Sequence, residues 1–179
     1  SLTRNWQTID EQSKSVPLEC KTYQQITDHL TRKLTDEKEK IRAIYIWITH
    51  NISYDVAQLD DRNKRHFKSN QESISYTLRS KRAICSGYSA LFHEMANYAG
   101  VEVFTISGYK RYPDGYASNL SHAWNGVHLK SGEWRLLDAT WDAGYTTFDA
   151  NNKKKFVRHF DDEYFLTEPK VFIKDHVPF

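Results

Sequence analysis

The sequence predicts an α+β fold in which helices come first and an antiparallel sheet follows. Up to Gly100, apolar residues recur at three- and four-residue steps, which is the spacing of amphipathic helices. After Gly100 the pattern changes to short runs of β-branched and aromatic residues, separated by turn residues such as Lys130-Ser131-Gly132. Helical runs followed by strand runs are typical of the α+β class.

Two helices are predicted in the first third of the chain. The apolar positions of the first helix are Tyr23, Ile26, Leu30 and Leu34. Thr35 is a suitable N-cap for the second helix, which has Asp36 and Glu37 in its first turn. The apolar face of this second helix consists of Ile41, Ile44, Tyr45, Ile48 and Ile52. We interpret Trp47 and Tyr54 as packing residues.

Residues 60–73 are polar and charged, so we interpret them as a surface loop or a frayed helix, followed by a short helix at 74–80. The next helix is predicted to start near Cys85 and to end at Gly100, a residue suited to a left-handed helix terminus. The predicted buried positions of this helix are Tyr88, Leu91, Phe92, Met95 and either Tyr98 or Ala99.

Strands are predicted at 101–109, 122–129 and 133–138, and the chain is expected to finish with a strand at 164–166 and a short helix at 168–176. We expect one domain over 1–179, in which residues 1–20 form an N-terminal extension.

Composition excludes several classes of protein. With 179 residues the chain can bury a core without disulfide or metal cross-links. The mean hydropathy of -0.73, and the lack of an apolar run approaching the roughly 20 residues of a spanning helix, argue against a membrane span. The 25 basic and 23 acidic residues are mixed along the chain, so no nucleic-acid surface is expected. We interpret the basic clusters at 62–66 and 153–155 as solvated loops, and we expect a monomer.

The two cysteines, Cys20 and Cys85, are too few for the disulfide framework of a small secreted domain. A bond between them would block a nucleophilic role of Cys85, so we predict that both are free. Free thiols do not indicate the cellular compartment in which the protein is found. The chain starts at Ser1 without an initiator methionine, which we interpret as a processed or trimmed start, compatible with export and removal of a signal segment.

Cys85 has the sequence context of a nucleophile. Residues 83–92 are typical of a loop that enters an amphipathic helix, so Cys85 falls at or beside the helix N-terminus. Unpaired N–H groups there favour an anion, and the thiolate is the reactive form of cysteine. His122 and Asp138 follow it, at the start of one predicted strand and the end of the next. Cys, His and Asp suffice for nucleophilic catalysis if the fold brings them together.

His122 and Asp138 can meet only in one type of strand register. If the hairpin loop has three residues, Leu129 pairs with Glu133, and Trp124 therefore pairs with Asp138. His122 is then the diagonal neighbour of Asp138 on the same face, at roughly 7–8 Å between Cα atoms. A two-residue loop would send the two side chains to opposite faces. The triad hypothesis therefore requires an odd loop or a bulge.

In this arrangement His122 would take the thiol proton and later protonate the leaving amine, while Asp138 would hold the other ring nitrogen. The Cys85 backbone N–H is one expected oxyanion donor, and no residue stands out as the second. Asp142 is the alternative carboxylate, but its surroundings are typical of a turn. Trp141 is expected to bind substrate by lining an acyl groove, with packing in a loop as the alternative.

Two other patterns carry less information. His128 shares the predicted face of His122 but is expected to be exposed near the hairpin turn. Residues 93–97 begin like the zinc metalloprotease helix, but the fifth position is Asn97 rather than a second histidine. No metal site and no cofactor are therefore expected, and Cys20 is expected to be an inert thiol.

Several blocks of the chain resemble the motifs of the transglutaminase-like superfamily, in the right order. They are 41–55 (IRAIYIWITHNISYD), 85–89 (CSGYS), 121–125 (SHAWN) and 137–141 (LDATW). The tail blocks at 164–169 (YFLTEP) and 176–179 (HVPF) resemble the branch that includes kyphoscoliosis peptidase and a yeast cytokinesis protein. The resemblance implies a papain-like thiol fold and a triad, carried onto Cys85, His122 and Asp138.

Together, the residues and the resemblance lead us to expect cysteine-dependent acyl transfer on a peptide or protein amide, through a thioester on Cys85. Hydrolysis is favoured over transfer to an amine, because a lone compact core has little extra structure to exclude water. The alternative is a catalytically silent transglutaminase-like module that binds other proteins, since the family includes inactive scaffolds as well as peptidases and cross-linking enzymes.

Overall fold

The computed structural model describes residues 5–179, with the exception of the Asp61 side chain. The helices are α1 (Gln7–Ser13), α2 (Tyr23–Thr31), α3 (Glu37–Asn51), α4 (Asn70–Ser80), α5 (Cys85–Tyr98), α6 (Ala139–Ala143) and α7 (Pro169–Phe172). The strands are β1 (Ser53–Tyr54), β2 (Arg82–Ala83), β3 (Glu102–Arg111), β4 (Ala117–His128), β5 (Trp134–Leu137), β6 (Gly144–Phe148), β7 (Lys154–Arg158) and β8 (His176–Pro178). Two short 3-10 helices lie at Val56–Leu59 and Asp61–Asn63.

Helix α3 forms the centre of the helical layer. All of its residues from 41 to 49 are buried, and it packs against α1, α2, α5 and α6. The predicted apolar face is buried, but so are residues on the other faces, among them Ala43, Ile46 and Trp47. A helix that is apolar on all sides belongs in the interior. Its N-cap is Asp36, whose side chain accepts the Glu39 N–H, so the predicted cap is wrong by one residue.

A four-stranded antiparallel sheet packs against α5, with the strand order β5-β4-β3-β8. The predicted strands at 101–109, 122–129 and 133–138 correspond to β3, β4 and β5. Two smaller pairings lie outside this sheet: β1 with β2 in parallel, and the antiparallel hairpin of β6 and β7. The predicted α+β class, with helices first and the sheet after them, is confirmed.

The helical predictions around Cys85 are largely confirmed. Helix α5 is followed by Gly100, whose φ of +87° is the left-handed conformation that glycine tolerates best. Of the two alternatives for the last buried position, Tyr98 is 45% exposed and is not a core residue. Helix α4 is longer than predicted, because Ser69 caps it by accepting the Glu72 N–H. Part of the segment interpreted as a loop is therefore helical.

The C-terminal segment differs from the sequence prediction. Residues 164–166 form no strand, because Leu166 has a φ of +46°, a left-handed conformation that interrupts an extended run. The predicted helix at 168–176 is reduced to the short α7, and His176 begins strand β8. Strand β8 then pairs with β3, where it covers an edge of the sheet.

The hairpin of β6 and β7 is an element that the sequence pattern did not predict. Most of its residues are exposed, so it lacks the apolar alternation that marks a half-buried strand. Lys154 and Lys155 belong to β7, so the interpretation of 153–155 as a solvated loop is wrong. The basic cluster at 62–66 is exposed, as expected.

Helix α1 lies within the predicted N-terminal extension and packs on α3. The buried guanidinium of Arg42 joins them, donating to Asp10 at 2.7 and 2.8 Å and to Asp162 at 2.6 and 3.1 Å. Arg42 therefore ties α1 and the loop before α7 to the central helix. Residues 1–4 of the extension lie outside the described residues, and the division into one domain with an extension stays a prediction.

Among the helices formed by residues 5–179, none combines the length and the apolar character needed to cross a membrane.

We expect Arg42→Met to lower the free energy of unfolding by about 2–3 kcal/mol, because two carboxylates lose charge-assisted hydrogen bonds while the apolar stem is kept. Urea denaturation monitored by circular dichroism measures this change. Arg62→Met is the matched control, because Arg62 pairs with Asp60 on the exposed surface and its loss should leave the midpoint unchanged. Equal midpoints for the two variants would contradict the role given to Arg42.

Candidate active site

Cys85 is the first residue of α5, and its neighbours fix where the helix starts. Ile84 is the N-cap and has an extended backbone, and no side chain of residues 5–179 caps the helix. At Gly87 an added Cβ would lie 2.7 Å from the Ala83 Cβ, so glycine allows the first turn to pack closely on β2. The Asn125 side chain joins this helix to the sheet by donating to the Ser89 carbonyl at 3.0 Å. Cys85 is half-buried at this fixed point.

The predicted hairpin register is confirmed. The Leu129 N–H donates to the Glu133 carbonyl at 2.9 Å, which closes a three-residue loop. Strand β4 accordingly pairs with β5 through partners such as Asn125 with Leu137. An odd loop of this kind leaves residues 122 and 138 on the same face, as the triad hypothesis requires.

His122 and Asp138 meet directly. The Asp138 Oδ2 lies 2.5 Å from the His122 Nε2, and its Oδ1 accepts the Trp141 N–H at 3.0 Å as the N-cap of α6. The remaining ring nitrogen of His122, Nδ1, is left for the thiol of Cys85, which lies close enough to raise the pKa of this ring. The structure thus brings Cys85, His122 and Asp138 together in one line, with the thiol beside the His122 ring and the ring bonded to Asp138.

The charges of this line stabilise one another. Burial alone would lower the pKa of His122, but the negative charge and hydrogen bond of Asp138, together with Cys85, raise it to about 10. Burial alone would raise the pKa of Asp138, but the charge of His122 and the hydrogen bonds from His122 and His176 hold it well below its usual range. At neutral pH the ring is therefore an imidazolium beside a carboxylate.

A second histidine, His176, contacts the same carboxylate and was missed by the sequence reasoning. Its Nε2 lies 2.9 Å from the Asp138 Oδ2, and its Nδ1 lies 2.7 Å from the Asp175 Oδ1. The His176 side chain is fully buried. The signal that could have revealed His176 is the tail block at 176–179. The family resemblance includes this block but assigns no role to its histidine.

His122, Asp138 and His176 offer ligand atoms within 4.8 Å of one another, which is close enough to consider a metal ion. Both imidazoles, however, contact the same Asp138 oxygen at 2.5 and 2.9 Å. Two ligands of a tetrahedral zinc ion lie roughly 3.3 Å apart, given Zn–N and Zn–O bonds near 2 Å. The spacing fits hydrogen bonding better than metal coordination.

Asp142, the alternative carboxylate, serves a structural role in the loop at 161–164. It is fully buried and accepts the Tyr45 hydroxyl at 2.5 Å and the backbone N–H groups of Glu163 and Tyr164 at 2.9 and 3.0 Å. Burial raises the pKa of Asp142 to about 6 against these hydrogen bonds. The turn interpretation underestimated its burial.

Cys85 and His122 open onto a cleft of about 1000 Å³, while the Asp138 carboxylate is buried behind the His122 ring. Trp141 forms part of its wall, stacked on the His122 ring with centroids 5.1 Å apart and planes 22° apart. The Lys110 ammonium lies 5.1 Å from the Trp141 ring centroid. Tyr145 and Phe156 from the β6–β7 hairpin also line the cleft. The role of Trp141 in substrate binding stays a prediction.

Tyr54 also lines this cleft, although the sequence suggested only packing. Its strand β1 pairs in parallel with β2 so that Tyr54 lies opposite Ala83, two residues before Cys85. Burial, with the nearby charge of Cys85, raises the pKa of Tyr54 to about 12, so its hydroxyl keeps its proton. Within the described part of the chain, this hydroxyl makes no hydrogen bond.

The remaining candidates lie elsewhere. His128 is paired with Glu102 at 2.8 Å and stacks on Trp134, and it is half-buried rather than exposed. Cys20 and Cys85 are both free thiols, as predicted.

Several known proteins resemble this chain in sequence or in fold. A sequence profile described as the transglutaminase-like superfamily matches residues 24–139. Mouse kyphoscoliosis peptidase is 33% identical over 180 residues, covering 98% of this chain and 26% of that protein. Cytokinesis protein 3 of Saccharomyces cerevisiae is 27% identical over 146 residues, covering 78% of this chain and 16% of that protein. The chain thus spans about a quarter or less of the length of these relatives.

Among solved structures, the periplasmic domain of TgpA from Pseudomonas aeruginosa superposes with a TM-score of 0.54 at 13% identity, covering 75% of this chain and 48% of that domain. This likeness concerns the fold. Together with the profile match and the extent of similarity to mouse kyphoscoliosis peptidase, it leads to one conclusion: the chain belongs to the transglutaminase-like superfamily, in the branch of kyphoscoliosis peptidase and cytokinesis protein 3.

Proposed function

We propose that this chain catalyses cysteine-dependent acyl transfer on a peptide or protein amide, with hydrolysis favoured over transfer to an amine. The observation that carries the proposal is that Cys85 and His122 line one cleft, with the His122 ring bonded to the buried carboxylate of Asp138. A nucleophile, a base in reach of it and a carboxylate that orients the base are the parts that covalent acyl transfer requires.

In the first step, His122 holds the proton of Cys85, and the thiolate attacks the amide carbonyl carbon. The carbonyl π electrons move to oxygen, and a tetrahedral oxyanion forms at the N-terminus of α5. When it collapses, the C–N bond breaks and the imidazolium of His122 gives its proton to the leaving amine. An acyl thioester remains on Cys85. Asp138 holds the ring in one orientation throughout by bonding Nε2.

In the second step, a water molecule or an amine attacks the thioester carbon and gives its proton to the now neutral His122. The C–S bond then breaks, the acid or the new amide leaves, and the thiolate–imidazolium pair is restored. Hydrolysis is favoured because residues of the cleft wall are exposed, Tyr145 by 54% and Leu120 by 76%, so water can reach the thioester. The peptidase name of the mouse relative supports the same direction.

Tyr54 supplies the second oxyanion donor that the sequence did not reveal. Its protonated hydroxyl faces the same cleft as Cys85 and is free to donate. The β1–β2 pairing supports this role, because Tyr54 lies opposite Ala83, two residues before Cys85, whose backbone N–H is the other donor in this proposal. Two donors that converge on the developing oxygen charge stabilise it more in the transition state than in the ground state.

The function is tested by mixing the protein with glutamine-bearing peptides and a primary amine and recording mass spectra. We expect cleavage products with the wild type and none with Cys85→Ala. Amine incorporation in place of cleavage would assign the transferase reaction. Silence of the wild type across a peptide library, with no acyl adduct on Cys85, would contradict the proposal and favour the interaction module.

The thiolate–imidazolium pair is tested by iodoacetamide labelling with Cys20 as internal control, since both cysteines are free and half-buried. The pKa of His122 is raised to about 10, so its positive charge is present at pH 6 and is lost only as the pH rises through that value. We expect Cys85 to react at least about tenfold faster than Cys20 at pH 6. His122→Ala should remove the difference, and equal rates in the wild type would contradict the pair.

For the oxyanion role, we expect Tyr54→Phe to lower kcat about tenfold or more with little change in KM, because the hydroxyl acts mainly on the charge that develops in the transition state. Tyr145→Phe is the matched control, because it removes another tyrosine hydroxyl from the cleft lining, and it should retain kcat within about twofold. Steady-state kinetics on the best peptide from the mass-spectrometric assay measures both. Indistinguishable kcat values for the two variants would remove Tyr54 from the mechanism.

A further inference from the structure

His176 is a buried polar side chain that a Cys-His-Asp mechanism does not call for. Both of its ring nitrogens contact carboxylates: Nε2 lies 2.9 Å from the Asp138 Oδ2, and Nδ1 lies 2.7 Å from the Asp175 Oδ1. A fully buried imidazole is unfavourable unless its nitrogens are hydrogen-bonded. Aromatic rings enclose it, with the Phe172 centroid at 3.9 Å and the Trp141 centroid at 4.3 Å. Its orientation is therefore fixed.

The contact with Asp138 completes the bonding of that carboxylate. One oxygen, Oδ1, accepts the Trp141 N–H, and the other, Oδ2, accepts both His122 and His176. A carboxylate held at both oxygens cannot rotate about its terminal bond without breaking a bond to one of these donors. The His122 ring is consequently held in the plane and position that the carboxylate dictates.

The fold brings His176 to this place through the pairing of β8 with β3. Gly108 lies opposite Pro178, and an added Cβ at Gly108 would lie 2.0 Å from the Val177 carbonyl oxygen. Only glycine at this position lets β8 approach so closely. Asp175 is fixed in turn by the Tyr164 hydroxyl, which donates to its Oδ2 at 2.8 Å. The C-terminal strand is thus built into the back of the site.

We propose that His176 is a positioning residue that acts through Asp138 on the His122 ring, so that the C-terminal segment completes the catalytic centre. The inference rests on the proposed function for its catalytic meaning, while the bonding pattern that it requires is a property of the folded chain. It extends the line from Cys85 through His122 and Asp138 to His176 and Asp175.

The charge balance gives the direction of the effect. The His176 Nε2 hydrogen bond takes up part of the negative charge of the Asp138 carboxylate, and it helps to hold the pKa of that group below its usual range. The charged or titratable groups around His176 are Asp138, Asp175, His122 and Tyr164, with Lys110 beyond the Trp141 ring. Without the His176 donor, the Asp138 Oδ2 keeps more of its negative charge, and His122 is bonded to this same oxygen. His122 then holds its proton more tightly and releases it less readily to the leaving amine.

Two amide variants separate the two bonds of His176. In His176→Gln the side-chain nitrogen can occupy the place of Nε2 and donate to Asp138. In His176→Asn the shorter side chain reaches only the place of Nδ1, beside Asp175. We expect His176→Asn to lower kcat about tenfold to a hundredfold with KM within about threefold, and to move the basic limb of the kcat–pH profile upward. His176→Gln should retain kcat within about threefold of the wild type.

Two further measurements on the 179-residue chain keep the test decisive. Thermal unfolding shows whether a variant is folded, and nitrogen-15 spectra of the histidine rings report the His122 Nε2–H bond to Asp138 without any substrate. We expect this ring signal to be retained in His176→Gln and to shift in His176→Asn. If the wild type proves inactive on every peptide, the ring spectra alone decide the positioning role, so the two proposals fail separately.

Equal kcat losses in the two amide variants, or losses that follow the melting temperature alone, would assign His176 to packing and overturn the proposal. Should neither variant at this position fold, Asp175→Asn provides the second route, because its side chain is 35% exposed and His176 stays in place. We expect this variant to move the basic limb upward by a smaller amount than His176→Asn. An unchanged profile would count against the relay from Asp175 to His122.

Discussion

The site depends on a single buried carboxylate, that of Asp138. It is 1% exposed, and a carboxylate removed from water is unfavourable unless donors replace the lost hydration. Three donors do so here: the His122 ring from β4, the His176 ring from β8 and the Trp141 N–H from α6. Because each comes from a different element, satisfying this one group brings the sheet, its C-terminal edge and the short α6 into one arrangement.

The arrangement follows from a few backbone constraints. The three-residue loop between β4 and β5 sets the register that leaves His122 and Asp138 on one face, and a slip of one residue would separate them. Gly87 lets the start of α5 pack on β2, and Gly108 lets β8 pack on β3. Small residues at these contacts allow backbones to approach closely, and the side chains of Cys85, His122 and His176 then converge on one region.

Two opposing effects determine the charge states in the site: desolvation by burial and the attraction between opposite charges. Burial disfavours the charged form of both His122 and Asp138, but each group stabilises the charge of the other. This mutual stabilisation outweighs the desolvation, so both groups stay charged at neutral pH. The charged His122 ring lines the same cleft as Cys85. In the proposed mechanism, the same ring then supplies the proton for the leaving amine.

The sequence by itself determined the α+β class, the start of α5 at Cys85 and the hairpin register, and it predicted that Cys85, His122 and Asp138 would lie together. These features depend on local patterns: helical spacing, turn residues and the order of short motifs along the chain. The tertiary structure alone decided that 164–166 is not a strand, that β8 covers the edge of β3, that Tyr54 faces the cleft and that His176 shares Asp138 with His122. Such contacts join residues far apart in sequence, 38 positions in the case of Asp138 and His176, and no local pattern encodes which distant partners a buried polar group will find.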